Sequence, residues 1–325
     1  MAATPVPARG RFETFIGGFE DPPPGVPYPM LLRRAGTEAW RTLFGVIAAF
    51  VFYLTVASVL PSIVIAIAWL VEARGRSYAT FSADAVAYLD PAGMLGMNVA
   101  IGSLVLVSWL MVAGIHRTRP GWLASVGPRI RWRYLGACAG VAILVLNAGQ
   151  VALWMINGVA VHLVPQPGFW AFMAVVLATT WVQATGEEYF FRGYLMQALG
   201  SLTPTPWFGV LTSAVVFAVM HGSQNVPLFL NRLAFGLVAA LLVWRTGGLE
   251  AGIAGHVVNN ISAYVWAGLT TGIAATRGLT EVGWLNSLVI VGGYGLYALA
   301  SWGIARAMRL ETATRALPRT SGRVA

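Results

Sequence analysis

Residues 167–193 read PGFWAFMAVVLATTWVQATGEEYFFRG. The run up to Phe190 is long enough to cross the hydrocarbon core of a bilayer, which takes about 20 apolar residues as a helix. It carries no charge until Glu187 and Glu188, adjacent at its end. The remainder of the chain has the same character. Of 325 residues, 57% are hydrophobic and 10% charged, against ~25% charged in an average soluble domain. So little charge cannot make a water-facing surface, and the mean hydropathy is +0.70. A soluble enzyme, a disordered tail protein and a nucleic-acid-binding domain are thereby excluded. The expectation is an all-α polytopic membrane protein, with the lipid bilayer as its first partner.

Apolar stretches recur at about 43–71, 93–115, 134–163, 167–190, 207–221, 228–244, 251–270 and 284–305, which makes eight expected transmembrane helices. The fifth and sixth are short and polar-edged. Residues 1–41 contain Asp21-Pro22-Pro23-Pro24-Gly25, a proline density that no helix survives. They read as an extended, largely disordered arm. The membrane domain is expected over 42–310 and a basic tail over 311–325. All 21 basic residues are arginine, giving a net charge of +9, and they gather at segment ends. Arg33, Arg34 and Arg41 precede the first span; Arg117, Arg119, Arg129, Arg131 and Arg133 lie between the second and third; Arg306, Arg309, Arg315, Arg319 and Arg323 follow the last. Eight spans put these segments on one side, so the positive-inside rule predicts both termini in the cytoplasm, in the plasma or inner membrane. The first forty residues lack the short apolar core of a signal peptide. The single cysteine, Cys138, sits in an apolar run and reads as a packing residue.

Nearly all of the twelve acidic residues lie in the arm, loops or tail. Glu187 and Glu188 are the exceptions, and His221, His256 and Asn260 likewise fall within or at the end of apolar segments. An ionisable group in a membrane helix costs a few kcal/mol, about 3 at the helix centre on insertion scales, and marks a functional site by default. Residues four apart share a helix face. Glu188 and Arg192 therefore pair, while Glu187, rotated ~100° away, is free to face a different neighbour. Phe217 and His221 share a face on the fifth helix, with Phe217 read as packing that positions His221; His256 and Asn260 share one on the seventh. Three helices can thus bring a carboxylate, two imidazoles and an amide around a wet pocket. Such a set activates water by a general base and stabilises an oxyanion through N–H donors. Glu187, His221 and His256 also form a zinc-type ligand set with one open position.

The bland readings are a His256 that caps a helix, a structural Glu188–Arg192 pair, interfacial His116 and His162, an unassigned Asn259, and a Glu250 that starts a helix. The combination is more specific. Glu187 to Arg192 reads E-E-x-x-x-R, Phe217 to His221 reads F-x-x-x-H, and His256 to Asn260 reads H-x-x-x-N, in this order on successive apolar segments. An R-T-G-G loop, Arg245 to Gly248, precedes the third. The set resembles the CPBP family, the CAAX-protease and bacteriocin-processing (Abi) intramembrane endopeptidases, over a core of about 165–270.

The resemblance implies roughly eight helices around a membrane-embedded cavity open to the cytoplasm. It further implies hydrolysis, near the cytoplasmic membrane face, of a peptide bond in a membrane peptide or protein, prenylated in the type II CAAX branch. Carried over position by position, Glu187 matches the glutamate that activates water, Glu188 the second motif glutamate, and His221, His256 and Asn260 the remaining catalytic positions, with Arg192 and Phe217 in support. Metallo- and glutamate-type labels both occur in the family, and the sequence leaves Zn2+ open, although no H-E-x-x-H is present. A non-catalytic membrane scaffold on the same fold and a proton-coupled small transporter are the alternatives.

Overall fold

In the computed structural model, residues 18–34, 39–72 and 75–315 are described. The regular structure among them is helical: α1 (Ala39–Glu72), a short α2 (Tyr78–Val86), α3 (Pro91–Gly102) and α4 (Leu104–Gly114) as one rod, and α5 (Trp132–Ile156). Next comes a rod built of α6 (Phe169–Glu187), a π-helix (Glu188–Leu195) and α7 (Met196–Gly200). It is followed by α8 (Trp207–Val219), α9 (Val226–Thr246), α10 (Glu250–Leu269), a short α11 (Ile273–Arg277) and α12 (Trp284–Ala307).

The eight expected stretches are all helical, yet six helices among the described residues are long and apolar enough to cross a membrane. The count of eight is corrected to six. α8 has 13 residues and is too short. α10 has the length, at 20 residues, but Glu250, His256, Asn259 and Asn260 lower its hydropathy. The two helices that fall short are those carrying the F-x-x-x-H and H-x-x-x-N motifs. They are surrounded by longer apolar rods, which can face lipid while α8 and α10 supply polar groups to the interior.

The described part of the expected arm departs from an extended, disordered segment. Its prolines exclude a helix, but Tyr28, Leu31 and Leu32 supply enough apolar surface to dock it, and all three are buried. The Tyr28 hydroxyl donates to the Leu123 carbonyl, and Trp122 Nε1 donates to Asp21 Oδ1 at 2.9 Å. Thr314 N donates to the Val26 carbonyl at 3.0 Å and the Thr314 carbonyl accepts from Gly25 N at 2.9 Å, while Val26 N donates to Thr314 Oγ1 at 2.9 Å. Residues 18–34 and 309–315 therefore meet at one end of the bundle. Residues 1–17, 35–38 and 316–325, the rest of the expected arm and tail, lie outside the described residues.

At this same end the loop before α5 is tied to the start of α10. Arg131 donates through Nε to Glu250 Oε1 at 2.8 Å and through NH2 to Oε2 at 2.5 Å, while its backbone N–H reaches Oε1 at 2.9 Å. Glu250 is fully buried, and removing one partner of a buried pair strands the other charge. Arg131→Ala should lower stability in detergent by roughly 3 kcal/mol. By contrast Arg315→Ala, which breaks the exposed pair with Glu311, should cost less than ~1 kcal/mol. Thermal unfolding of the two variants side by side checks this; equal midpoints would contradict it.

Candidate active site

α6 passes α3 at backbone contact, because a Cβ on Gly186 would meet the backbone of Ile101 and Gly102. This close crossing sets the next residue, Glu187, against the interior. From Glu188 the rod widens into the π-helix, whose i→i+5 bonds put more residues into each turn. Glu187 and Glu188 both keep α-helical backbone angles, yet they do not face different neighbours, as the spacing alone predicts, because one ring stands between them. Both clasp the same imidazole. His256 Nε2 lies 3.1 Å from Glu187 Oε2 and Nδ1 2.8 Å from Glu188 Oε1.

Glu188 Oε1 also accepts from Arg192 NH1 at 2.9 Å, the i,i+4 pair read from the spacing. The Arg192 guanidinium lies over the Phe217 ring, 4.1 Å from its centroid, an attractive placement for a desolvated cation. The ring of Phe217 also meets those of His221 and His256 edge-on, at 4.6 and 5.9 Å. Glu188 Oε2 is buried without a hydrogen-bond partner. Gly252 allows its approach, since a Cβ there would stand 2.6 Å from that oxygen. One continuous chain, Glu187–His256–Glu188–Arg192, thus runs through the interior. Two ring nitrogens against two carboxylates take two protons, either both on the ring or one on the ring and one on a carboxyl. A proton can therefore pass between His256 and Glu187 without any heavy atom moving far.

His221 lies two residues past the end of α8. Its Nδ1 donates to the Phe217 carbonyl at 2.7 Å, which makes Nε2 the acceptor nitrogen of the neutral ring. Among the described residues no hydrogen bond joins His221 to Glu187 or His256. The three share instead the wall of one cavity of ≈ 970 Å3, with Asn260. Asn260 Nδ2 donates to Gln183 Oε1 at 3.1 Å and Asn260 Oδ1 accepts from Asn259 Nδ2 at 3.1 Å. Asn259 Oδ1 in turn accepts from the Tyr294 hydroxyl at 3.4 Å. Gln183 was not among the residues singled out by sequence. Its signal was an amide four residues before Glu187 in an apolar run, mirroring Asn260 four residues after His256. The two i,i+4 ladders face each other across α6 and α10. Asn231 on α9, buried on the wall of the same cavity, was also missed.

Comparison with known proteins bears on this part of the chain. Residues 169–262, from the start of α6 into α10, match the family model described as type II CAAX prenyl endopeptidase Rce1-like. This segment is similar to that family. The chain is also 26% identical over 216 residues, 61% of its own length and 72% of the relative's, to the uncharacterized protein YyaK of Bacillus subtilis (strain 168). No solved structure matches the chain. The Rce1-like segment contains every one of the seven residues singled out by sequence, while α1, α3–α4, α5 and α12 lie outside it.

The zinc set does not fit this arrangement. Among the described residues no group of three His, Cys, Asp or Glu side chains is placed to hold a metal ion. Both nitrogens of His256 already face carboxylates, so neither is directed at an open position for a metal.

Proposed function

We propose that this protein is an intramembrane endopeptidase that cleaves a membrane peptide or protein with water activated by Glu187. The Rce1-like assignment supports intramembrane protease activity in general. The observation that carries the mechanism is the hydrogen-bonded chain Glu187–His256–Glu188–Arg192 on the wall of a cavity large enough for water and a peptide. Glu187 takes a proton from water, and the hydroxide adds to the peptide carbonyl carbon. His221 Nε2, an acceptor on the same wall, holds the other proton of that water. The oxyanion receives the second N–H of Asn260, whose first is spent on Gln183, an arrangement of fixed donors suited to developing charge. Collapse of the intermediate breaks the C–N bond, and the proton gathered at Glu187, passed directly or through His256, leaves on the amine. Glu188 and Arg192 hold His256 in place and touch no reacting atom.

The substrate is read as a membrane peptide or protein, prenylated or not. Both termini are proposed to be cytoplasmic, supported by the arginine distribution and by the meeting of residues 18–34 and 309–315 at one end. The test is comparative peptidomics of membranes holding the parent or the His256→Ala protein at equal abundance. Peptides that appear only with the parent are the expected result; identical peptide profiles would overturn the reading. A transporter is disfavoured because the cavity ends blindly on one side, against the apolar cluster described below.

A further inference from the structure

The cavity that holds Glu187 has a direction along the bundle. On α10 its wall starts at His256 and continues to Ala267, with none of Glu250–Gly255 in it. On α9 it runs from Leu228 and stops at Phe235, well short of Thr246. On α5 and α12 it takes only the halves near Trp154 and Val289, and the connection from Thr270 to Val282 completes it. α10 leaves the end where residues 18–34 and 309–315 meet, because Arg131 joins its first residue to the carbonyl of Glu311. α9 and α12 return to that end. On α5, α9 and α12 the cavity therefore occupies the half remote from the joined ends, and on α10 it runs from the seventh residue, His256, to Ala267 near the far end.

The near side is closed. A continuous apolar cluster runs from Tyr28, Leu31 and Leu32 through Trp122 and Leu123 to Phe190, Phe191 and Phe217 beside the site. Water and substrate thus meet Glu187 from the far end. The arginines order the two faces: Arg33, Arg34, Arg117, Arg119, Arg129, Arg131, Arg306, Arg309 and Arg315 stand at the closed end, whereas the described connections at the open end hold Arg76 and Arg277. By the positive-inside rule the closed end is cytoplasmic.

We infer that the site opens to the non-cytoplasmic face, so that its substrates are exported peptides or the non-cytoplasmic segments of membrane proteins. This replaces the cytoplasmic opening implied by the family resemblance. The word substrate rests on the peptidase reading; the direction of the opening rests on the fold and the charge distribution alone. The test is therefore chosen not to depend on cleavage. Cys138 is the single cysteine, and in a Cys138→Ala background Ser223→Cys places a thiol on the cavity wall two residues past His221, while Arg315→Cys places one at the joined ends. A membrane-impermeant maleimide should label Cys at 223 in intact cells or spheroplasts and at 315 only in inverted vesicles. Labelling of both from one face, labelling at 223 only in inverted vesicles, or no labelling at 223 from either face would each overturn the inference. None of these outcomes touches the peptidase reading, which stands or falls on loss of cleavage in the Glu187 variant.

Discussion

Glu187→Gln should leave a folded, membrane-inserted protein that no longer cleaves. The amide oxygen of glutamine can still accept from His256 Nε2, so the 3.1 Å contact survives in kind. The adjacent carboxylate, Glu188, keeps its bonds to His256 and Arg192. What disappears is the base that removes a proton from water. Losing a positioned general base typically costs 10^2–10^4-fold, so turnover should fall by about 10^3-fold while the melting temperature in detergent stays close to that of the parent. The measurement is cleavage of a substrate identified by peptidomics, with the purified variant at matched concentration. Turnover equal to the parent's would remove Glu187 from the chemistry.

Arg192→Ala should act mainly on stability. The guanidinium is fully buried, bonded to Glu188 and stacked on Phe217. Deleting it strands a buried carboxylate that already has one unpartnered oxygen, and breaking a buried pair costs about 3–5 kcal/mol. A void beneath Phe217 adds to the loss. The variant should melt well below the parent or accumulate poorly. The double variant Glu188→Gln with Arg192→Met removes both charges and refills the space, so it should recover much of the stability, because a buried pair replaced by well-packed neutral groups is often tolerated. It should not recover full activity, since His256 then has one carboxylate partner instead of two. Equal melting of Arg192→Ala and the parent would refute the ion-pair account.

What could be read from sequence, and what could not, divides along physical lines. Glu187, Glu188, Arg192, His221 and His256 stand out because charged or titratable side chains are rare in apolar runs, and helical spacing alone pairs Glu188 with Arg192. Gln183 and Asn231 escaped because neutral amides in such runs are common and carry no comparable penalty. The shared grip of Glu187 and Glu188 on His256 was hidden for a different reason. Adjacent residues on a helix point ~100° apart, and spacing on one helix does not reveal that an imidazole from another stands between them and offers one ring nitrogen to each. Residues 18–34 showed their prolines but not the pocket awaiting Tyr28. Eight segments were legible as helices. That only six meet the demands of a full crossing depends on where α8 stops, two residues before His221, and on the polar residues that lower the hydropathy of α10. The level of each motif along its neighbours, on which the direction of the opening depends, exists only once the helices are packed.

The cluster that joins Tyr28, Trp122 and Phe191 has a kinetic consequence. With that end sealed, reactant and cleaved fragments must share a single doorway. Each departing fragment therefore occupies the route of the next arrival, and inhibition by product should be competitive, growing stronger as fragments lengthen and back out more slowly.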